Sequence, residues 1–154
     1  MAEKTSDYKY KTPIPLRFSD IDAVGHVNNA IYLTYFEIAR FNYWRDVLNW
    51  NFNETGIIVA RTEVNYLKPV VLNDQLVCYV RVVRIGNSSF DVMHLLVKVT
   101  EKGEEICTTS KTVCISYDYT ANKSVKIPTN ARNRMIEHDE PRLILNTNER
   151  LSEP

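Results

Sequence analysis

The densest group of side chains able to do chemistry lies in residues 20–29. Two carboxylates, a histidine and two amides stand there: Asp20, Asp22, His26, Asn28 and Asn29. An aromatic-rich pattern with helical spacing follows directly. A carboxylate folded back over a helix start can act as a base or nucleophile, while the first free backbone N–H groups polarise a carbonyl. The segment is therefore a candidate site for acid–base or nucleophilic chemistry.

Asp22 is the residue of this segment best placed for such chemistry. It precedes Asn29 by seven residues, so a short turn can bring its carboxylate over the helix start. Asp20 is predicted to be a structural turn or capping residue, because aspartate makes local hydrogen bonds in loops. His26 can orient Asp22 or a water, contact a substrate carbonyl, or be a hydrogen-bonded loop histidine.

The residues around these side chains have predicted roles in shaping the backbone. Asn28 or Asn29 is predicted as the N-cap of the helix, since an amide oxygen can accept from a backbone N–H of the first turn. Gly25 permits a tight turn or a close approach of substrate, or is an ordinary loop glycine. Glu37 and Arg40, three residues apart on the helix, can form a structural ion pair.

One long helix and several strands must position this segment. Apolar spacings of 3 and 4 predict a helix over residues 30–50, apolar nearly all round and so buried on more than one side. Alternation and turn residues predict strands over 13–19, 57–67, 76–85, 90–100 and 106–119. A short helix over 128–138 and a polar tail over 139–154 complete the pattern, which is typical of the α+β class.

The second predicted strand has a definite alternation. Four of its residues are predicted to share one face: Ile58, Ala60, Val64 and Tyr66. Arg61, Glu63 and Asn65 are predicted to share the other face.

Bulk properties narrow the class of protein. A chain of 154 residues fits one domain, 1–154, with a core of about 13–138. A formal net charge of zero argues against a nucleic-acid partner. No apolar run is long enough for a membrane span, and none near Met1 suits a signal peptide, so we expect a cytoplasmic protein.

The sequence offers no pattern for a metal or redox cofactor. The cysteines at 78, 107 and 114 lie in predicted strands without C-x-x-C spacing and are expected to be buried and free. The three histidines share no metal-ligand spacing. Nucleotide-binding glycine loops and the serine-hydrolase G-x-S-x-G pattern are absent too. We therefore expect no cofactor.

The run from Asp20 to Arg40 closely resembles the signature of hotdog-fold thioesterases of the 4-hydroxybenzoyl-CoA thioesterase type. The match is strongest with the bacterial acyl-CoA branch, whose pattern D-x-x-x-H-V-N-N corresponds here to residues 22–29. The resemblance extends over about residues 14–120. It implies a five-stranded antiparallel sheet of order 1-3-4-5-2 curled around the long helix. It also implies a homodimer or homotetramer with active sites at the subunit interface.

The resemblance also assigns roles to residues. It implies that Asp22 is the catalytic carboxylate and that backbone amides near Asn28 and Asn29 are the oxyanion donors. Related plant-type acyl-carrier-protein thioesterases use an Asp, an Asn and a His in this segment. This chain has Val24 where that Asn would stand, although Asn28 can serve instead.

Further residues are candidates for contact with substrate: Gly25, Tyr32, Glu63, Ser88 and Ser89. Tyr32 belongs to a set of helix aromatics that suits either a core or an acyl pocket. Glu63 can reach an active site across a subunit interface or be a solvated strand residue. The turn containing Ser88 and Ser89 resembles the family's turn near bound coenzyme A, and is also a good hairpin turn.

The sequence thus predicts an acyl-CoA thioesterase. Asp22 acts as base or nucleophile, the helix start at Asn28 and Asn29 polarises the thioester carbonyl, and His26 assists. Alternatives are a thioesterase acting on acyl carrier protein, a hotdog enoyl-CoA hydratase, and an acyl-binding domain without turnover.

Overall fold

The computed structural model describes residues 3–144, so most of the predicted polar tail, residues 145–154, lies outside the described residues. The strands are β1 Tyr10–Ile14, β2 Gly56–Tyr66, β3 Leu76–Ile85, β4 Ser89–Thr100, β5 Gly103–Asp118, β6 Lys123–Ser124 and β7 Arg142–Leu143. The helices are α1 Ile31–Tyr43 and α2 Thr129–Asp139. A π-helical turn, Trp44–Leu48, continues α1. Short 3₁₀ turns cover Thr5–Asp7 and Phe18–Asp20.

The main sheet is antiparallel in the order β1-β3-β4-β5-β2, which confirms the predicted α+β class and strand order. Two short strands enlarge it, since β6 pairs with β5 and β7 runs parallel to β3. The inner side of α1 packs on this sheet through buried residues that include Tyr35, Phe36, Ala39 and Tyr43. One helix lying on one curled sheet is therefore the frame that holds the segment of Asp22.

The first strand differs from the prediction. It is Tyr10–Ile14 and not 13–19, because residues 18–20 form a 3₁₀ turn. That turn closes through the Asp20 carboxylate, which accepts from the Arg17 backbone N–H at 3.0 Å. Pro13 is tolerated inside the strand because β1 is an edge strand that pairs only with β3 among the described residues.

Helix α1 is less enclosed than its apolar composition predicts. Leu33 and Phe41 are 48% and 47% exposed, and Glu37 between them is also exposed. These residues are four apart and form one open stripe along the helix. Within the described chain α1 is therefore buried on the sheet side and open along this stripe.

Strand β2 contains a bulge that changes which residues share a face. The register with β5 shifts between Val59 and Arg61, so Ala60 is the extra residue. Because strand residues alternate between faces, this places Ile58 on the face opposite to Val64. The predicted shared face of Ile58 and Val64 is therefore wrong.

Candidate active site

The segment before α1 is a tight loop held by its own backbone. Ile21 and Val27 form an antiparallel bridge, and the Asp22 N–H donates to the His26 carbonyl at 2.8 Å. Between them the Gly25 N–H donates to the Asp22 carbonyl at 3.1 Å, with Gly25 at a φ of +86°. A side chain at that φ would be strained, which explains glycine as a turn residue.

Asp20 anchors this loop to the helix. Its buried carboxylate accepts from the Tyr35 hydroxyl at 2.7 Å and from the Arg17 guanidinium at 2.9 Å. Burial alone would raise the pKa of Asp20, but the hydrogen bonds from Arg17 and Tyr35 outweigh burial and lower it. The Asp20 carbonyl also accepts from the Asn28 N–H at 2.9 Å. The predicted structural role of Asp20 therefore agrees with its contacts.

Asp22 uses only one of its carboxylate oxygens within the loop. Its Oδ1 accepts from the backbone N–H groups of Val24 at 2.9 Å and His26 at 3.3 Å. Its Oδ2 has no hydrogen-bond partner among residues 3–144. The carboxylate is thus fixed by one oxygen, and the other is available for chemistry.

The start of α1 differs from the predicted cap. Ala30 occupies the N-cap position, while the Asn28 side chain accepts from the Ala30 N–H at 2.9 Å. Because the Asn28 N–H is bonded to Asp20, it is not a free oxyanion donor. The Asn29 N–H, by contrast, has no hydrogen-bond partner in the described part of the chain. Of the two predicted donors, only Asn29 is therefore free.

An open cavity of about 320 Å³ brings together several of the predicted residues. It is lined by Asp22, His26, Val27, Asn29, Tyr32, Tyr66, Leu67, Lys68 and Pro69. The exposed imidazole of His26 makes no hydrogen bond within residues 3–144, and only its backbone contacts Asp22. The cavity therefore combines a carboxylate, a free imidazole and a free backbone N–H.

Tyr66 is a cavity residue that the sequence did not mark as functional. Its hydroxyl donates to the Asn29 carbonyl at 2.9 Å, and its ring meets the Tyr32 ring edge-on with centroids 5.1 Å apart. The only sequence signal was its position at the end of a strand, just before the Lys68–Pro69 break. Lys68 also lines the cavity and pairs with Glu105 at 3.0 Å.

Four predicted substrate contacts do not line this cavity. Glu63 pairs with Arg61 in an exposed ion pair on β2. Ser88 and Ser89 lie at the start of β4, whereas the part of β4 nearest Tyr66 begins seven residues later. That separation is about 23 Å along the strand. Gly25 shapes the loop without lining the cavity.

Three further properties concern the described residues. No cluster of three or more His, Cys, Asp and Glu side chains within residues 3–144 can hold a metal ion. The helices of this part of the chain are too short or too polar to cross a membrane. The three cysteines are buried and unpaired, as predicted.

The chain is similar to known proteins in both sequence and structure. The model of the family described as the Thioesterase-like superfamily matches residues 16–135. YsmA of Bacillus subtilis is 31% identical over 79% of this chain and 81% of its own. The long-chain acyl-CoA thioesterase FadM of Escherichia coli is 26% identical over 81% of this chain and 96% of its own.

A solved structure has the same architecture. A thioesterase from Thermus thermophilus, crystallised with coenzyme A and Zn, superposes with a TM-score of 0.75 at 29% identity. The superposition covers 87% of this chain and 96% of that one.

Proposed function

Because the chain belongs to the thioesterase-like superfamily and is a thioester hydrolase, we propose that it hydrolyses acyl-CoA thioesters to the free acid and coenzyme A. Asp22 is the proposed catalytic carboxylate. One observation carries this assignment: Asp22 and Asn29 line the same cavity, and the Asp22 Oδ2 and the Asn29 N–H have no hydrogen-bond partner within residues 3–144.

The proposed reaction uses these two groups together. With the thioester carbonyl oxygen on the Asn29 N–H, at the positive end of α1, negative charge developing on that oxygen is stabilised. Asp22 then either takes a proton from an attacking water or attacks the carbonyl carbon itself. In the first route the tetrahedral intermediate expels the coenzyme A thiolate and leaves the free acid. In the second route the thiolate leaves as Asp22 and the acyl group form an anhydride, and water then hydrolyses that anhydride to the free acid and the Asp22 carboxylate.

The other cavity residues have supporting roles in this proposal. The imidazole of His26, which has no hydrogen-bond partner within residues 3–144, donates to the carbonyl or to the attacking water. Tyr66 donates to the Asn29 carbonyl, which belongs to the peptide that follows the Asn29 N–H, and so restrains the backbone on the helix side of that donor. Tyr32 forms the apolar wall beside them.

Coenzyme A is the proposed carrier of the acyl group. Two similar proteins support this choice, since FadM is named an acyl-CoA thioesterase and the Thermus protein was crystallised with coenzyme A. An acidic carrier protein would require a basic rim. The cavity's Lys68 is paired with Glu105, and the net charge of the chain is zero.

We further propose that the protein works as a homodimer or homotetramer in the cytoplasm. Strand β2 is a long edge strand that pairs only with β5 among the described residues, and such edges favour pairing with another chain. Val59 and Tyr66 on β2 are about half exposed. A second subunit there is also the proposed source of a Glu63 or a Ser88–Ser89 turn at the cavity. The free cysteines suit a reducing compartment.

The test is thiol release from a panel of short, long and aromatic acyl-CoA thioesters, with sedimentation to give the oligomeric state. We expect Asp22→Asn to lower kcat/KM by about a hundredfold or more. Asp118→Asn is a matched control, because the Asp118 Oδ1 also accepts from two loop N–H groups, those of Thr120 and Ala121. Asp118 lies outside the cavity, so its variant should keep wild-type turnover.

Two results would count against the proposal. Equal losses in the two variants would show that Asp22 acts only through the fold. If folded protein hydrolyses acyl carrier protein thioesters and no coenzyme A thioester, the proposed carrier of the acyl group is acyl carrier protein and not coenzyme A.

A further inference from the structure

A row of buried polar side chains without hydrogen-bond partners lies between α1 and the sheet. It consists of Arg40 on α1, His94 on β4, and Thr108 and Ser110 on β5, each 6% exposed or less. The unpartnered atoms are Arg40 Nε, both ring nitrogens of His94, and the two hydroxyl oxygens. Buried polar groups are nearly always paired, so residues 3–144 lack the partners that this row requires.

On the sheet side the row begins at the candidate active site. Tyr66, which lines the cavity, lies directly opposite Thr108 on the neighbouring strand. Ser110 is two residues further along β5 and therefore on the same face, and it lies opposite His94. Thr108, Ser110 and His94 thus lead inward from the cavity.

On the helix side the row ends at Arg40. Tyr32 lines the cavity, and Phe36, about one turn later, packs on the His94 ring with centroids 5.1 Å apart. Arg40 follows after about one more turn. It is therefore about 12 Å beyond Tyr32 along the helix axis.

Arg40 is a buried charge with no carboxylate of residues 3–144 within ion-pair distance, although Glu37 attracts it from further away. The predicted pair with Glu37 is not formed, and the Arg40 guanidinium instead lies over the Trp44 ring at 5.9 Å. Burial, then the positive charge of Arg40, lower the pKa of His94 and outweigh the opposing influence of the Ser110 backbone, so His94 is neutral and the row is left with one positive charge. Burial raises the pKa of the Cys78 and Cys114 thiols, and the positive charge of Arg40 partly opposes that rise, so Arg40 lies near β3 and β5.

We propose that this row recognises the acyl group, and that the preferred acyl group ends in a second carboxylate. The acyl chain runs from the cavity past Thr108 and Ser110, and its terminal carboxylate pairs with the Arg40 guanidinium. The inference rests on the proposed function, because it takes the thioester to be at Asp22 and Asn29. The substrate class is therefore an ω-carboxyacyl thioester of coenzyme A.

The chemistry of the row favours such a substrate over a plain alkyl chain. A guanidinium matches a carboxylate with two parallel hydrogen bonds. A carboxylate also supplies the missing counter-charge, and a buried charge is stable in a protein when it is paired. A plain alkyl chain in the same place would leave the Arg40 guanidinium without a partner, whereas the terminal carboxylate supplies that one partner.

The test compares coenzyme A thioesters matched in length: adipoyl with hexanoyl, suberoyl with octanoyl, and sebacoyl with decanoyl. We expect wild type to prefer the dicarboxylic member at one length by about tenfold or more in kcat/KM, the value of one good charged hydrogen bond. Arg40→Met, which keeps an unbranched side chain and removes the charge, should abolish this preference, and Arg40→Lys should restore part of it. The control is Arg45→Met, because Arg45 is exposed and pairs with Asp46.

A binding measurement makes the result independent of turnover. Calorimetric titration with free suberate and free octanoate should show tighter binding of suberate by wild type, and loss of that difference in Arg40→Met. If no thioester is hydrolysed but suberate binds in this way, the proposed function fails, whereas recognition of a carboxylate by Arg40 is supported.

Other outcomes overturn the inference and leave the proposed function intact. One is hydrolysis of alkyl thioesters with a dicarboxylic preference that is absent, or unchanged in Arg40→Met. Another is dissociation of the oligomer by both Arg40→Met and Glu37→Gln without any change in preference. That second result would assign the counter-charge of Arg40 to the carboxylate of another copy of the chain.

Discussion

An aspartate–histidine pair lies near each end of helix α1, and the two pairs have opposite surroundings. Asp22 and His26 precede the helix, in a loop that lines an open cavity. His138 and Asp139 end α2 and contact Tyr43 at the other end of α1. The residue types are the same, so the two sites differ in which of their side-chain atoms the fold already hydrogen-bonds.

At the Asp139 end the fold uses both carboxylate oxygens. Oδ2 accepts from the Tyr43 hydroxyl and from the Val82 backbone N–H at 2.9 Å, and Oδ1 lies 2.8 Å from His138 Nδ1. The Asp139 side chain is 1% exposed. A cavity of about 440 Å³ lies beside His138, yet Asp139 does not line it. This carboxylate joins α2, α1 and β3 and has no oxygen left for a substrate.

At the Asp22 end the fold uses only Oδ1, and only for N–H groups of the same loop. The second oxygen, the imidazole of His26 and the Asn29 N–H are all left without partners in the described chain. A reactive site needs groups that the fold positions without satisfying them. The Asp139 pair is therefore structural, because the fold already uses its hydrogen-bonding atoms. The Asp22 pair is suited to chemistry, because several of its hydrogen-bonding atoms are unused. Residue type alone does not reveal this difference.

Replacing each aspartate by asparagine should give the largest contrast between the two ends. Asp139→Asn places an NH₂ group against buried donors, and we expect it to lower the free energy of unfolding by about 2–3 kcal/mol. Asp22→Asn loses only local contacts at a partly exposed site, so we expect a change of about 0.5 kcal/mol or less. Urea unfolding at pH 7 measures both values.

Glu140→Gln serves as the control for the first variant, because Glu140 is exposed and adjacent to Asp139. It should unfold like wild type. Similar losses of stability in Asp22→Asn and Asp139→Asn would remove the distinction between the two pairs.

The elements with local patterns were predictable from the sequence. Strand β3, Leu76–Ile85, has the bounds that its alternation and the following turn predict. The extent of the long helix and the strand order agree with the predictions, although the order came from the resemblance. Asp22, His26 and Asn29 do meet in one cavity, because seven residues of loop suffice to bring them together.

Features that depend on distant partners were not predictable. The bulge at Ala60 is set by register with β5, and no turn residue marks it in the sequence. The bond of Tyr66 to Asn29 joins residues 37 apart. The spacing of three residues suggested an ion pair between Glu37 and Arg40. In the structure, Arg40 is buried against the sheet and Glu37 is exposed to solvent. Spacing predicts which residues are near each other, whereas burial decides which of them pair.

A second, smaller effect concerns how the Asp22 loop is held. The folded state lowers the pKa of Asp20, so its ionised form stabilises the fold at pH values above its unfolded pKa of about 3.9, and this contribution is lost as pH falls through the lowered folded value. We expect Asp20→Asn to reduce stability by about 1–2 kcal/mol at pH 7. The difference from wild type should shrink below about pH 4.

Urea unfolding of both proteins at pH 7 and pH 3 measures this difference. Tyr35→Phe, which removes one donor to the Asp20 carboxylate, should reproduce part of the loss at pH 7. A difference between Asp20→Asn and wild type that is the same at both pH values would show that the ionised carboxylate does not anchor the loop.

The smallest effect tests whether the free Asn29 N–H depends on a long-range contact for its direction. Tyr66→Phe keeps the ring against Tyr32 and removes only the hydrogen bond to the Asn29 carbonyl. One such bond contributes about 0.5–1.5 kcal/mol, so we expect kcat to fall by about twofold to tenfold with KM little changed. Tyr119→Phe is the matched control, because the Tyr119 hydroxyl donates to the Ile57 carbonyl at 3.1 Å, on the same strand β2 but outside the cavity. If both variants lower kcat equally, the bond to Asn29 supports β2 and not the oxyanion donor, and the contrast between the two ends of α1 then rests on Asp22 and His26 alone.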